Sequence, residues 1–238
     1  PPEVIKQQEE TKVLLAVELK NKEEKDRAEA LITSDKRNRN EWLGDSNIPC
    51  RNIPDSFSNF DSKKQGLAMR RCQEFASELL NESAFALVLA SSVYGIGKTH
   101  LMAAIARKVM EKTTATESQQ YQIVRFSCPV YYTNEPEMLS EIRETYQEHH
   151  AESEASVFNK LNKPGLLIID DVGKVQPRDL SFVQQVYYRL IEYRYSHLQS
   201  IALATNLEGE SFETFIGGAV ASRLSEMTMG KYFITLKG

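Results

Sequence analysis

The chain has 238 residues, 41% of them hydrophobic and 26% charged, with a formal net charge of −4, proportions that suit one α/β domain plus an extension. No apolar run reaches the length of a membrane span and no signal-peptide pattern opens the chain; the slightly acidic balance gives no global basic field, so any nucleic-acid contact must be local or arise in an assembly. Cys50, Cys72 and Cys128 are scattered, odd in number and without a C-x-x-C pair, which supports neither a disulfide framework nor a zinc site and suits free thiols in a reducing cytosol.

Residues 1–42 form the first predicted region. They are rich in Glu, Lys, Arg and Gln, with Ile5, Val13, Leu14, Val17 and Leu31 as a thin apolar stripe. They read as a charged, solvated helix or linker to a missing N-terminal part, or as a frayed tail. The chain begins on Pro1 rather than Met and stops at Gly238 directly after a strand-like run, so both ends read as cuts. The second region, 43–238, then reads as a C-terminally truncated domain. It opens on turn residues (Gly44, Asp45, Asn47, Pro49, Asn52 and Pro54).

From there the pattern alternates. Gly66 to Leu80 is predicted helical, Phe85 to Ala90 a strand, and Thr99 to Glu111 a helix. The second strand lies between Tyr121 and Asn134, with Val130 to Thr133 preferred and Ile123 to Phe126 as a rival or hairpin partner. A helix follows from Glu135 to Gln147, with Met138, Leu139, Ile142 and Tyr146 on one face. Leu166 to Asp170 is the third strand. The next helix, Asp179 to Tyr195, turns Leu180, Val183, Val186, Tyr187, Leu190 and Ile191 inward. Ser200 to Thr205 is the fourth strand, Ala219 to Glu226 a short helix and Tyr232 to Leu236 the fifth strand. Strands alternating with helices predict a parallel, doubly wound sheet.

Two stretches carry chemistry. The first runs from the strand at Ala86–Ala90 through Gly95-Ile96-Gly97-Lys98-Thr99 into a helix. Strand, glycine loop, Lys-Thr and helix make the phosphate cradle of P-loop NTPases. Loop N–H groups and the helix N-terminus face an anion, Gly95 and Gly97 permit the backbone angles, Lys98 reaches the β/γ-phosphates and the Thr99 hydroxyl ligates Mg²⁺. Ile96 and His100 complete the run of candidate nucleotide contacts, with His100 reading as structural rather than catalytic. The usual spacing places a glycine at position 92, where this chain has Ser92, so either the serine adopts the turn at some cost or the loop is altered. The second stretch, Leu166 to Asp171, is wholly apolar until its two acids. A strand buried on both faces and ending in acids puts them where α/β sheets bind ligands. Asp170 reads as the Walker-B acid holding Mg²⁺ through water, and Asp171 as the group that orients the attacking water.

Other residues admit plainer readings. Asn206 could cap the following helix, and Arg223 could be a surface arginine. Tyr187, Tyr188, Tyr193 and Tyr195 invite base stacking, but their helical spacing favours packing. His149 and His150 read as solvated, as do Arg143 and Lys160.

Several segments taken together resemble the AAA+ helicase loaders of the DnaC and DnaI kind and their phage relatives. They are Ile48-Pro49, Phe57-Ser58-Asn59-Phe60, Gly97-Lys98-Thr99-His100-Leu101, Tyr132-Thr133 through Leu139, Ile169-Asp170-Asp171-Val172-Gly173, Thr205-Asn206-Leu207 and Ser222-Arg223-Leu224. The resemblance covers roughly 45–238, and the IstB-type transposition helpers share its core. It implies an AAA+ core with a five-stranded parallel sheet in the order 5-1-4-3-2. Asn206 is implied as sensor 1, bonding the γ-phosphate or a water, and Arg223 as an arginine finger reaching a neighbour's nucleotide. ATP or ADP with Mg²⁺ are the implied cofactors, and a cytoplasmic location follows. The implied activity is slow ATP hydrolysis during helicase loading in DNA replication, as a primosome component. Replicative helicase, single-stranded DNA and other copies meeting at the nucleotide site are the implied partners. A nucleotide-gated recruitment module, or an IstB-like helper with little turnover, is the alternative. The region of a sensor-2 arginine would fall beyond residue 238.

Overall fold

The computed structural model describes residues 20–23, 25, 40–79, 85–113, 128–147, 152–174 and 179–237, the side chains of 62–64 excepted. It divides into two units, 1–41 and 42–238. In the first, the described residues 20–23 and 25 are helical and exposed. The second unit carries the sheet. Its strands are β1 (Ala86–Ala90), β2 (Val130–Asn134), β3 (Leu166–Val172), β4 (Ser200–Thr205) and β5 (Phe233–Thr235); its helices are α1 (Ser62–Glu78), α2 (Lys98–Lys112), α3 (Glu135–Glu144), α4 (Glu154–Asn162), α5 (Leu180–Ser196), α6 (Glu210–Ile216) and α7 (Gly218–Thr228).

The five strands are hydrogen-bonded in the order β2-β3-β4-β1-β5, every pair parallel. This is the expected 5-1-4-3-2 order read from the other edge. Strand residues alternate between two cores, as the period of two requires. Leu87, Leu89, Tyr132, Ile168, Ala202 and Ala204 face one way, joining Phe75 of α1 and Leu101, Met102 and Ile105 of α2. Val88, Leu167, Ile169, Ile201 and Leu203 face the other way, packing on α3, α4, α5, α6 and α7. Because both faces are covered, β1 and β4 are buried at every position, which explains why their sequences are continuous apolar runs rather than alternating ones.

The segment before α1 covers an edge of this sheet. Ser46 O accepts from Tyr132 N at 2.8 Å and the Asn47 side chain donates to Tyr132 O at 3.0 Å, so part of the open edge of β2 is paired.

The structure corrects the expected elements in four places. The helix expected over 135–147 ends at Glu144, and Tyr146 is 59% exposed instead of inward, its hydroxyl donating to Glu154 at 2.7 Å. Leu180, expected inward, is only half-buried. Helices α4 and α6 were not expected. Ser153 caps α4 by accepting from Ser156 N, and its buried Val157, Phe158 and Leu161 span too few turns to stand out as a periodic pattern. The rival strand at Ile123–Phe126, and His149 and His150, lie outside the described residues. Cys50, Cys72 and Cys128 are free thiols. Among the described residues no helix is long and apolar enough to cross a membrane.

A charged group is buried as deeply as the apolar core. Arg194, in the last turn of α5, is 0% exposed. Its guanidinium donates to the carbonyl oxygens of Leu161 at 3.1 Å, Pro164 at 2.8 Å, Gly165 at 2.9 Å and Ser200 at 2.7 Å. Burial pulls its pKa down from the usual arginine range, and the ring of carbonyl dipoles holds the charge. The oxygens of Pro164, Gly165 and Ser200 lie where β3 and β4 begin and that of Leu161 in the last turn of α4, so Arg194 fixes the C-terminal end of α5 to the N-terminal edge of the sheet.

Candidate functional site

At the opposite edge of the sheet, β1 leads into the glycine loop. Gly95 and Gly97 both have positive φ, 72° and 99°, values an L side chain rarely adopts. Space matters at only one of them: a Cβ on Gly97 would stand 2.7 Å from Phe60 Cε2, whereas one on Gly95 would meet nothing within 4 Å. Gly97 is the N-cap of α2 and has no side chain to cap it, so the first N–H groups of the helix face the loop. Ser92 keeps a negative φ, since it is not among the positive-φ residues, and its N–H donates to Glu208 Oε1. The turn therefore makes no demand at position 92 that only glycine could meet.

Lys98 folds back over this loop. Its Nζ donates to Ser91 O at 3.0 Å and to Val93 O at 3.3 Å. Burial pushes its ammonium below the ordinary lysine value, against the attraction of Asp170, Asp171 and Glu208. His100 points elsewhere. Its Nε2 bonds Ser56 O at 2.9 Å, its Nδ1 lies 3.6 Å from Asp55 and its ring meets Phe60 edge-on. Arg107 adds a bond to Ile53 O at 3.1 Å. His100 and Arg107 thus bind the 53–60 segment down across α2.

The two acids of β3 differ because the strand is irregular there. Between Ile169↔Leu203 and Val172↔Thr205 the β3 side advances three residues while β4 advances two. The extra residue of this bulge re-aims the side chains around it and sets Asp171 at φ 57°. Asp170 is 5% exposed; its Oδ1 accepts from Asp171 N at 2.8 Å and its Oδ2 from the Tyr132 hydroxyl at 2.6 Å. Asp171 is half-buried and ion-paired to Lys174 at 2.8 Å. Behind the acids, buried Glu135 accepts from Gly173 N at 3.1 Å and from the Tyr187 hydroxyl at 2.7 Å, and burial holds its carboxyl above the usual range.

Asn206 follows the last residue of β4, the strand lying between β1 and β3. It is not the cap of the next helix, because Gly209 holds that position in α6. Strand order alone therefore gathers the loop of β1, Asn206 and the two acids at one edge. Tyr132 and Glu135 stood in the sequence only within a resembling segment and Glu208 in none; register brings Tyr132 to Asp170, and Glu208 arrives on the loop that follows β4.

Arg223 lies apart from this cluster. It sits on α7, 42% exposed, with Nε 3.3 Å from Glu192 Oε2 and its guanidinium 4.5 Å from the centre of the Tyr195 ring. Both partners are near the C-terminal end of α5, the end that Arg194 ties to the far edge of the sheet.

The loop N–H groups, the α2 N-terminus and Lys98 form a site suited to a polyanion. Among the described residues no group of three or more His, Cys, Asp or Glu side chains is arranged to hold a metal ion. One buried carboxylate with a nearby helix-start hydroxyl, Thr99, is a donor set that fits Mg²⁺ arriving with phosphates, since Mg²⁺ is usually held by one or two carboxylates and substrate oxygens.

Comparison with known proteins gives the chain a family and its fold a set of relatives. The family described as IstB-like ATP binding protein matches residues 10–224. The chain belongs to that family. A relative from Escherichia coli (strain K12), the uncharacterized protein YdaV, is 25% identical over 173 residues, 71% of this chain and 61% of its own length. The chain thus spans about three-fifths of that curated relative. Among solved structures, DnaI is 18% identical with a TM-score of 0.58, covering 81% of this chain and 93% of its own. The DnaC helicase loader is 19% identical with a TM-score of 0.52, covering 79% and 98%. The replication initiator DnaA bound to AMPPCP and single-stranded DNA is 17% identical with a TM-score of 0.58, covering 81% and 51%. At these identities the likeness is one of fold, an AAA+ P-loop core, and this IstB-like chain shares it.

Proposed function

We propose that this IstB-like protein is an ATP-hydrolysing helicase loader that acts in DNA replication. The observation that carries the reading is the placing of β4 between β1 and β3, which sets Lys98, Asn206, Asp170 and Asp171 along one edge. Lys98 would leave its loop carbonyls for the β/γ-phosphates. Thr99 and Asp170 would hold Mg²⁺, which supplies charge neutralisation on the phosphates when bound. Asp171 would release Lys174, a half-exposed pair worth about 0–1 kcal/mol, and orient the attacking water. Asn206 would bond the γ-phosphate without adding charge. A neighbour's Arg223 would stabilise charge developing in the transition state. The helicase and DNA partners are inferred by likeness to the DnaC helicase loader and to the DnaA structure with single-stranded DNA.

A second reading also has an observation in its favour. Two groups that hydrolysis needs, Asp171 and Arg223, are held within the chain by Lys174 and by Glu192 and Tyr195. A nucleotide-gated recruitment module, as in a transposition helper, would bind nucleotide and change assembly without appreciable turnover. Steady-state hydrolysis measured over a range of protein concentrations, with and without single-stranded DNA and a replicative helicase, separates the two. The loader reading expects turnover that rises with concentration and is lost in Lys98→Ala together with nucleotide binding. Tight binding with no turnover under any condition would transfer support to the recruitment module.

A further inference from the structure

The Walker-B position has a partner that the proposed mechanism leaves unused. Tyr132 is 2% exposed, and its hydroxyl donates to Asp170 Oδ2 at 2.6 Å. Register makes the contact possible. Tyr132 pairs with Ile168 and Asn134 with Asp170, so Tyr132 and Asp170 share one face two positions apart, a diagonal that only a long side chain spans. With Asp171 N on Oδ1, each carboxylate oxygen has one protein donor and keeps further acceptor capacity. The carboxylate plane is thereby held from both ends, inside a buried site where an unsatisfied oxygen would be costly. Tyr131, the neighbouring residue, faces away and lies 5.4 Å under Lys160 Nζ.

We propose that Tyr132 is a positioning residue for the divalent cation that accompanies the nucleotide: its hydroxyl fixes the Asp170 carboxylate and so sets how much Mg²⁺ nucleotide binding requires. The proposal rests on the nucleotide-site reading above. Phenylalanine at 132 would keep the ring packed beside Ile168 and remove only the donor, leaving Asp170 Oδ2 free to turn toward other partners. Loss of such an outer partner typically weakens a metal site by about 10–100-fold.

The test is a titration of free Mg²⁺ at fixed fluorescent mant-ADP, on wild type, Tyr132→Phe, Tyr131→Phe and Lys98→Ala, with affinity in EDTA and thermal unfolding measured alongside. The Mg²⁺ midpoint is expected to rise about tenfold in Tyr132→Phe, with nucleotide affinity in EDTA unchanged and Tyr131→Phe superimposed on wild type. 4-Fluorophenylalanine at 132, which refills the hydroxyl's volume without donating, is expected to give the same shift. The proposal is overturned if the Tyr132→Phe midpoint stays at the wild-type value or falls. Equal loss of affinity with and without Mg²⁺, or loss of cooperative unfolding in both variants, would make the hydroxyl a packing determinant and also overturn it. If wild type itself binds no nucleotide, or binds without regard to Mg²⁺, the nucleotide-site reading fails and this role falls with it; a normal wild-type curve confines the failure to Tyr132.

Discussion

Single residues in the glycine loop show how little of a motif is side-chain chemistry. Gly97 is constrained twice, by a φ of 99° and by the Phe60 ring. Position 92 is constrained neither by φ nor by its side chain, because it contributes a backbone N–H to Glu208. Ser92→Gly is therefore expected to leave nucleotide affinity unchanged in calorimetry. It should lower the melting temperature slightly, since glycine adds unfolded-state freedom worth about 0.5–1 kcal/mol. A clear gain in affinity would mean that the serine does obstruct the loop. The Gly-Lys-Thr run and the acids of β3 were legible because each motif is local and its residue types are rare in combination. The role of Tyr132 was not: it stood in the sequence only as part of the resembling segment Tyr132-Thr133 through Leu139, and nothing between positions 132 and 170 signals that the two side chains meet.

At the scale of elements, α5 does more than pack. Its apolar face was visible from Leu180 to Ile191, but nothing in that periodicity marked Arg194. In the structure it is the donor for four carbonyls, three where β3 and β4 start and one in the last turn of α4. Arg194→Met would leave those oxygens buried without it, at about 1–3 kcal/mol for each one that stays unsatisfied. A fall in the urea midpoint corresponding to more than about 3 kcal/mol is expected on that basis. Arg194→Lys should recover only part of it, because an ammonium cannot reproduce the planar fork. A midpoint within error of wild type in Arg194→Met would show that water replaces the guanidinium. Helices α4 and α6 escaped the sequence reading for a related reason: with 9 and 7 residues, they are too short for periodicity to separate them from loops.

At the scale of the whole molecule, Arg223 lies far from the edge that carries the glycine loop. Glu192, in the fourth turn of α5, is about 18 Å along that helix from its start at the loop edge, and Arg223 lies beside it. Such a position suits action on another copy. Arg223→Ala is expected to bind nucleotide as wild type does while losing concentration-dependent hydrolysis, a stabilisation worth about 10³–10⁵ in rate where arginine fingers are known. Mixing Arg223→Ala with Lys98→Ala should restore part of the activity, since a junction can pair one intact loop with one intact arginine. A dead mixture of co-assembling variants, beside an active wild type, would place the arginine's action within its own chain.

The sequence by itself determined the buried strands, the glycine loop and the paired acids near the end of β3. Each depends on residues adjacent along the chain, where sterics and hydrophobic period act directly. Periodicity did not supply the strand order, which came from resemblance to a known family and is borne out in the sheet. Tertiary structure alone decided the bulge that separates Asp170 from Asp171, the burial of Arg194 and the hydroxyl of Tyr132 on Asp170. Those features depend on pairing between residues tens of positions apart, and a side chain's partner across a sheet is set by register, which no local pattern encodes.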